Sequence, residues 1–289
     1  MIIERFADRL VVHAPAKINL HLEVLGKRPD GFHEIETLMV AVDRFDTLHF
    51  EERPAGDALT CNRPGLDMGD DNLATKALNL VRRETGRETG ISIALTKRIP
   101  MAAGLAGGSS DAAATLAGLS AWWNLGWNPA RLAELGASLG SDVPFFFATP
   151  AAVCRGRGEI VTPSRIGKPL HLAVVKPNDG LSTAAVFGRL KIDETKRSVK
   201  PVAEALEIGD TARIGSLLFN RLEEPAFAMN PKVAELRRLA ERESRFGALM
   251  TGSGSAVYAL CESRNQAEDL ARQWSARGLG ETFAASSCD

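Results

Sequence analysis

Three glycines, Gly104, Gly107 and Gly108, stand with Ser109 and Ser110 in the stretch from Pro100 to Ser110. An alternating run, Ile91-Ser-Ile-Ala-Leu95, precedes it, and an Ala/Leu-rich run from Ala112 to Leu119 follows. That order reads as strand, glycine loop and helix N-terminus. Glycine allows positive φ and close backbone approach, and either serine can cap the helix. The unpaired N–H groups and positive dipole end of a helix start favour an anion. The chemistry this suits is phosphate binding. The spacing is neither G-x-x-x-x-G-K-[ST] nor G-x-G-x-x-G, which excludes a P-loop and the dinucleotide fingerprint. Local composition leaves one alternative open, a plain glycine-rich connection with a serine cap.

Other stretches carry candidate chemistry. In Lys17-Ile-Asn-Leu-His-Leu-Glu-Val24 the alternation puts Ile18, Leu20, Leu22 and Val24 on one strand face and Lys17, Asn19, His21 and Glu23 on the other. Glu23 is expected on a solvated face. Lys17 and Asn19, at the strand's beginning beside Ala14-Pro-Ala16, offer a compact cation and an amide to a ligand. In Ser141-Asp-Val-Pro-Phe-Phe-Phe147 a carboxylate, Asp142, stands between a helix stop and three phenylalanines. It reads either as a turn residue or as an acid or base beside an apolar wall. Phe32 and His33 end a turn-rich loop with Pro29 and Asp30-Gly31; the ring is either a stacking platform for a base or a latch under the loop. Thr251-Gly-Ser-Gly-Ser255 is a second glycine/serine turn, which a strand connection explains as well as a ligand contact does.

The elements that position these groups follow from periodicity and punctuation. Glu36–Val42 and Thr47–Glu51 are predicted as paired strands. Asn72 starts a capped amphipathic helix that closes near Gly86. Asn128 caps another, with Pro129 at its first position and Gly140 as its stop. A hairpin is expected around Gly156-Arg-Gly158. After a boundary near Pro163 to Pro169 the order is strand 170–175, helix 182–190, helices across 201–243, strands 247–250 and 256–261, helix 266–277 and strand 282–285. With the extra helices set aside this is β-α-β-β-α-β, a split βαβ lobe. The charged run from Lys191 to Lys200 is expected to be a solvated excursion.

A chain of 289 residues exceeds one average domain, and two lobes are expected, at 1–165 and 166–289. With 45% hydrophobic and 25% charged residues it is an ordinary globular sequence. A net charge of -1 gives no basic footprint for nucleic acid or a membrane surface. No apolar run approaches the ~20 residues needed to cross a bilayer, and Met1-Ile-Ile-Glu-Arg5 lacks a secretory h-region. Cys61, Cys154, Cys261 and Cys288 lack C-x-x-C spacing, so neither a zinc site nor a disulfide framework is expected and a reducing cytoplasm fits. Cys154 and Cys261 read as buried spacers in strands.

Taken together, Ala14-Pro-Ala-Lys-Ile-Asn-Leu20, the 100–110 loop and Met250-Thr-Gly-Ser-Gly-Ser255 resemble the three ordered motifs of the GHMP kinase superfamily. Gly26-Lys-Arg-Pro-Asp-Gly-Phe-His33, Leu139-Gly-Ser-Asp-Val-Pro-Phe145 and Lys176-Pro-Asn-Asp-Gly-Leu-Ser-Thr183 are similar to the branch that acts on a 4-diphosphocytidyl-linked methylerythritol. The resemblance implies an α+β fold with an N-terminal lobe like ribosomal protein S5 domain 2 and a ferredoxin-like C-terminal lobe. It implies ATP as phosphoryl donor, Mg²⁺, and phosphorylation of the acceptor's 2-hydroxyl on the non-mevalonate isoprenoid route. Carried onto this chain, Pro100, Met101, Ala102, Ala103, Gly104, Leu105, Ala106, Gly107, Gly108, Ser109 and Ser110 cradle the ATP phosphates. Ser110 is in addition a candidate magnesium contact, and Asn72 approaches adenine. Asp142 takes the proton from, or orients, the acceptor hydroxyl, and Lys17 polarises it. Asn19 positions substrate, Phe32 stacks on cytosine, His33 reads its edge, and Thr183 and Phe187 complete the cytidine side.

Two positions depart from the family pattern. Ala106 stands where glycine is frequent, which requires negative φ there, and Phe32 stands where tyrosine is common. Two other readings stay open: a GHMP kinase of the homoserine or phosphomevalonate type, and a non-catalytic nucleotide sensor on the same fold. A small cytidyl substrate, a monomer or weak homodimer, and a cytoplasmic location complete the expectation, with no nucleic acid or membrane partner.

Overall fold

The computed structural model describes residues 1–288. In chain order the elements begin with β1 (Ile2–Arg5), β2 (Arg9–Lys27), β3 (His33–Arg53), β4 (Ala58–Cys61), α1 (Leu73–Thr85), β5 (Gly90–Thr96), α2 (Gly107–Trp122) and α3 (Pro129–Ala137). A single 3-10 turn, Pro144–Phe147, leads to β6 (Ala151–Gly156), β7 (Ile160–Ser164), β8 (His171–Lys176) and α4 (Thr183–Gly188). Then come α5 (Lys200–Ile208), α6 (Thr211–Leu217), β9 (Phe219–Asn220), α7 (Glu223–Met229), α8 (Pro231–Glu243), β10 (Ala248–Met250), β11 (Val257–Cys261), α9 (Arg264–Ala276) and β12 (Glu281–Ser286). By contact the chain divides into two compact units. The first holds residues 1–16, 44–99 and 106–149, the second 17–43, 100–105 and 150–288.

In the first unit β1 pairs antiparallel with the start of β2, β5 pairs antiparallel with the end of β3, and β4 runs parallel to β5. Helix α2 is apolar all round, and every residue from Ser110 to Ser120 is buried, which marks a helix enclosed by its neighbours. Its small residues allow close packing: a Cβ at Gly118 would lie 2.4 Å from the Phe50 ring. Asn72 caps α1 and Gly86 closes it in the left-handed conformation, as expected. Asn128 caps α3 with Pro129 next, but that helix ends at Ala137, before Gly140.

In the second unit the start of β3 pairs with β6, β6 forms a hairpin with β7, and β9 runs parallel to β2. A separate four-stranded antiparallel sheet has the order β10-β11-β8-β12. Numbering those strands as they follow one another in the chain, the order is 2-3-1-4, the split βαβ arrangement. Its core joins Ala173, Val175, Met250, Val257 and Ala259 with Trp274 of α9 and Val233 of α8.

Two expectations fail, each because a charged residue has a distant partner. The strands expected at 36–42 and 47–51 are one strand, β3, of 21 residues. Asp43, Arg44 and Asp46 resemble a turn, yet no glycine or proline breaks the chain there. Asp43 pairs with Arg264, Arg44 Nε donates to Arg98 O, and Asp46 pairs with Lys97. Glu23 is not on a solvated face but wholly buried. Arg221 Nε and Nη2 each donate to it at 2.8 Å, and the N–H groups of Val24 and Arg197 each donate at 2.9 Å. The run 191–200 is mostly exposed, as expected, but it is tethered: Lys196 Nζ donates to Val24 O, and Arg221 also reaches Asp193 and Thr195 O.

Burial works to raise the Glu23 carboxyl, but the Arg221 guanidinium and the two N–H donors outweigh it and hold it below the usual range. A lowered carboxylate adds stability above its unfolded pKa of about 4.3, and that stability is lost as pH falls through the folded value. Arg221→Leu leaves the carboxylate buried without its partner and is expected to cost about 3–5 kcal/mol. Urea unfolding at pH 7 reads this; a loss below about 1 kcal/mol rejects the anchor. The acid limb of the wild-type stability curve below pH ~4.5 should flatten in Glu23→Gln.

Candidate active site

The glycine loop leaves β5 through Lys97, Arg98 and Ile99 and returns as α2. Within the second unit its first half, residues 100–105, meets the start of β2 and the turn after β10. Lys17 N donates to Leu105 O at 3.1 Å. Lys17 Nζ donates to Gly104 O and to Asn19 Oδ1, both at 2.8 Å. Asn19 Oδ1 also accepts from Gly252 N at 2.9 Å and Thr251 Oγ1 at 3.2 Å, while Nδ2 donates to Thr37 Oγ1 at 2.8 Å. Asn19 is buried and its carboxamide serves protein partners on both sides, so what it orients directly is the Lys17 amine. The turn carrying Thr251 also backs the loop: Ala256 N donates to Ala103 O at 3.1 Å. At Gly104 φ is +75°, and a Cβ there would lie 2.0 Å from Thr251 O. Only glycine allows this approach.

The residues expected around cytidine are in the same unit. Phe32 is half exposed in its loop, and the Arg157 guanidinium lies over its ring, 4.7 Å from the centroid. His33 stacks at 5.0 Å on Phe187, tilted by 31°. Burial, with Lys27 nearby, holds the His33 imidazole below its usual pKa, so the neutral ring can both donate and accept at pH 7. Thr183 opens α4, with Ser182 as its cap, and its Oγ1 lies 2.8 Å from Ser253 Oγ. A chain of contacts thus runs from Lys17 through Asn19 to the 251–255 turn and on to α4.

The loop's second half lies in the first unit. Neither Ser109 nor Ser110 caps α2: the capping position is Ala106, at φ +54°, with no side-chain cap. The negative φ that alanine required there is not what the loop adopts. Ala102 is also left-handed, at φ +50°. Non-glycine residues in this region cost about 1–2 kcal/mol each, so the loop is held in a strained path by its surroundings. Ser110 Oγ is wholly buried and donates to Pro15 O at 2.7 Å. Asn72 spends its carboxamide on the α1 cap, accepting from Ala74 N and donating to Asp67 O, each at 2.9 Å. Beside it, Leu73 comes within 3.7 Å of where a Cβ on Gly108 would stand.

Asp142 lies in the turn between α3 and the 3-10 segment, half-buried. Phe145 and Phe146 pack edge to face at 5.2 Å in the core beneath it. A Cβ on Gly140 would lie 3.8 Å from Ser109 Oγ, which puts the turn holding Asp142 against the first turn of α2.

One group was missed in sequence. Lys97 bridges Asp46 and Asp111, and all three are buried. Burial pushes the Asp111 carboxyl up to about 7, against the pull of Lys97. The signal is present as a lysine just before the loop and an aspartate just after it, but Asp46 falls between the two expected strands, where nothing local points to a partner.

As to metal, no group of three or more His, Cys, Asp or Glu side chains able to hold an ion occurs among the described residues. Ser110 gives its proton to a main-chain carbonyl in a closed environment and does not fit as a ligand. Among the described residues no helix is long and apolar enough to cross a membrane.

Comparison with known proteins shows the family. Residues 72–149 match the family model of the GHMP kinases N terminal domain, and residues 202–279 match GHMP kinases C terminal. A 4-diphosphocytidyl-2-C-methyl-D-erythritol kinase of Pelotomaculum thermopropionicum is 42% identical over 90% of this chain and 92% of its own length. One from Bacillus cytotoxicus is 45% identical over 87% of this chain and 88% of its own. A crystal structure of 4-(cytidine 5'-diphospho)-2C-methyl-D-erythritol kinase superposes with TM-score 0.81 at 34% identity, covering 96% of this chain and all of that one. The homoserine kinase of Cytophaga hutchinsonii superposes at 0.77 with 18% identity, over 100% of this chain and 97% of that one, a likeness of fold alone.

The loop's backbone yields opposite expectations for two small changes. Gly104→Ala forces a Cβ into Thr251 O at positive φ and should cost about 3 kcal/mol or more. Ala106→Gly relieves a left-handed alanine and should stabilise by roughly 0.5–1 kcal/mol, the reverse of the usual helix effect. Chemical denaturation of both variants checks the pair, and a destabilising Ala106→Gly contradicts the strained path.

Proposed function

The chain belongs to the GHMP kinase family, and from that premise we propose that it transfers the γ-phosphoryl group of ATP to the 2-hydroxyl of 4-diphosphocytidyl-2-C-methyl-D-erythritol. The products are the 2-phosphate and ADP, on the non-mevalonate route to isoprenoid precursors. The observation that carries this acceptor is identity of 42–45% with kinases of that name over nearly the whole chain. The exposed Phe32 ring and the neutral His33 beside Phe187 support it, since a cytosine needs a face to stack on and an edge partner able to donate and accept.

Phosphoryl transfer passes through a loose transition state, so positioning and charge stabilisation do most of the work. In this reading Pro100 to Ser110 cradle the triphosphate with main-chain amides and the N-terminus of α2, and Asn72 lies toward adenine. Lys17, aimed by Asn19 and Gly104 O, neutralises charge on the transferring group. Asp142 accepts the proton of the acceptor hydroxyl. Thr183 and Phe187 complete the cytidine side. Magnesium, entering with the triphosphate, would supply further charge neutralisation there. Residues 1–165 act as the ATP-binding lobe and 166–289 as the second lobe of a cytoplasmic monomer or weak homodimer that needs neither nucleic acid nor membrane.

Release of ADP from ATP, measured with the cytidyl acceptor, homoserine and phosphomevalonate in parallel, tests the assignment. Turnover confined to the cytidyl acceptor is expected; faster turnover with either of the others overturns it, and none with any of the three favours a sensor. Asp142→Asn should lower kcat by about 10²–10⁴, the range for a general base, and near-normal turnover removes Asp142 from that role. Phe32→Ala should weaken binding of a cytidine nucleotide by about 1–3 kcal/mol, read by calorimetric titration; an unchanged Kd rejects the stacking.

A further inference from the structure

We propose that Asp46, Lys97 and Asp111 are positioning residues that clamp the two ends of the glycine loop and thereby set its affinity for the ATP triphosphate. The inference rests on reading residues 100–110 as the triphosphate cradle. None of the three residues is among those expected to touch a substrate.

The clamp has a definite geometry. Asp46 sits mid-way along β3, wholly buried. Its Oδ1 accepts from Arg98 N at 2.5 Å and Ile99 N at 2.8 Å, the last two residues before Pro100, and its Oδ2 accepts from Lys97 Nζ. The same amine donates to Asp111 Oδ2 at 2.6 Å, in the opening turns of α2. The loop's departure and its return are therefore tied through one ammonium. A Cβ at Gly107 would stand 3.1 Å from Lys97 Nζ, so the amine lies directly under the first residue of the helix.

A core charge cluster with no other task is a poor way to gain stability, since apolar replacements of similar volume do as well or better. This one is also incompletely satisfied: Asp111 Oδ1 is buried and has no hydrogen-bond partner among the described residues. What the cluster does supply is a fixed separation between the loop's ends. The loop between them contains three glycines and two left-handed alanines. Such a chain has many alternative paths, and fixing its ends removes most of them before ligand arrives. Pre-organisation of that kind is read as affinity.

The test uses the whole chain with a non-hydrolysable ATP analogue, titrated calorimetrically at 25 °C, together with KM for both substrates. Lys97→Met and Asp111→Ala each break the tie, and Asp111→Asn keeps an oxygen for Lys97. The expected result is a tenfold or greater rise in analogue Kd and in KM for ATP in the first two variants. KM for the acceptor should stay within twofold, and Asp111→Asn should recover affinity to within threefold of wild type. If one bridge-breaking variant does not fold, the other decides with Asp111→Asn as its control. Unchanged analogue affinity in a folded bridge-breaking variant, or parallel rises in both KM values, overturns the clamp and leaves a structural charge cluster. A wild-type enzyme that does not bind the analogue removes the cradle reading, and the clamp falls with it.

Discussion

Gly104 runs so close to Thr251 that no side chain fits between them, and the candidate phosphate site is arranged around that approach. Two backbone segments 147 residues apart are brought together, and the polar groups this buries must be paired. Asn19 and Lys17 do that pairing: one carboxamide and one ammonium take Gly104 O, Gly252 N and Thr251 Oγ1. The lysine thereby acquires a fixed direction. Had the loop stood further away, Lys17 would be a flexible surface cation, and its charge would be worth little to a reacting phosphoryl group.

The long strands carry charge inward at chosen points, and each such point organises a neighbouring segment. Glu23 on β2 collects Arg221 and the run around Arg197. Asp46 on β3 collects Lys97 and the amides before Pro100. In both cases a fully buried carboxylate meets several donors, so its lone pairs are satisfied and it does not simply destabilise the core. Segments without regular structure of their own are given defined positions by these pairs. Packing alone does not do this for chains rich in glycine or charge.

Much of this is legible in the sequence where the signal is local. The glycine loop between a strand and an Ala/Leu run, the caps Asn72 and Asn128, and the order of the second lobe all follow from short-range rules. The failures share a cause. Alternation from Lys17 to Val24 shows two faces but not that both are covered, because the residue that satisfies Glu23 is 198 positions away. Asp43-Arg-Phe-Asp46 resembles a turn until its partners are seen. Ala106 is silent about its φ, since alanine adopts the left-handed region only when surroundings impose it. Asn19 was legible as polar and forward-placed, but its role as a holder of Lys17 depends on a turn from the far end of the chain. Residue type and spacing single out candidate groups; long-range partners decide how each group is held.

Amide hydrogen exchange across residues 101–110, with and without a non-hydrolysable ATP analogue, tests the central claim most directly. The account predicts that the analogue slows exchange in this loop and in the first turn of α2 more than anywhere else in the chain. Protection confined to other segments, with exchange in the loop unchanged, contradicts it.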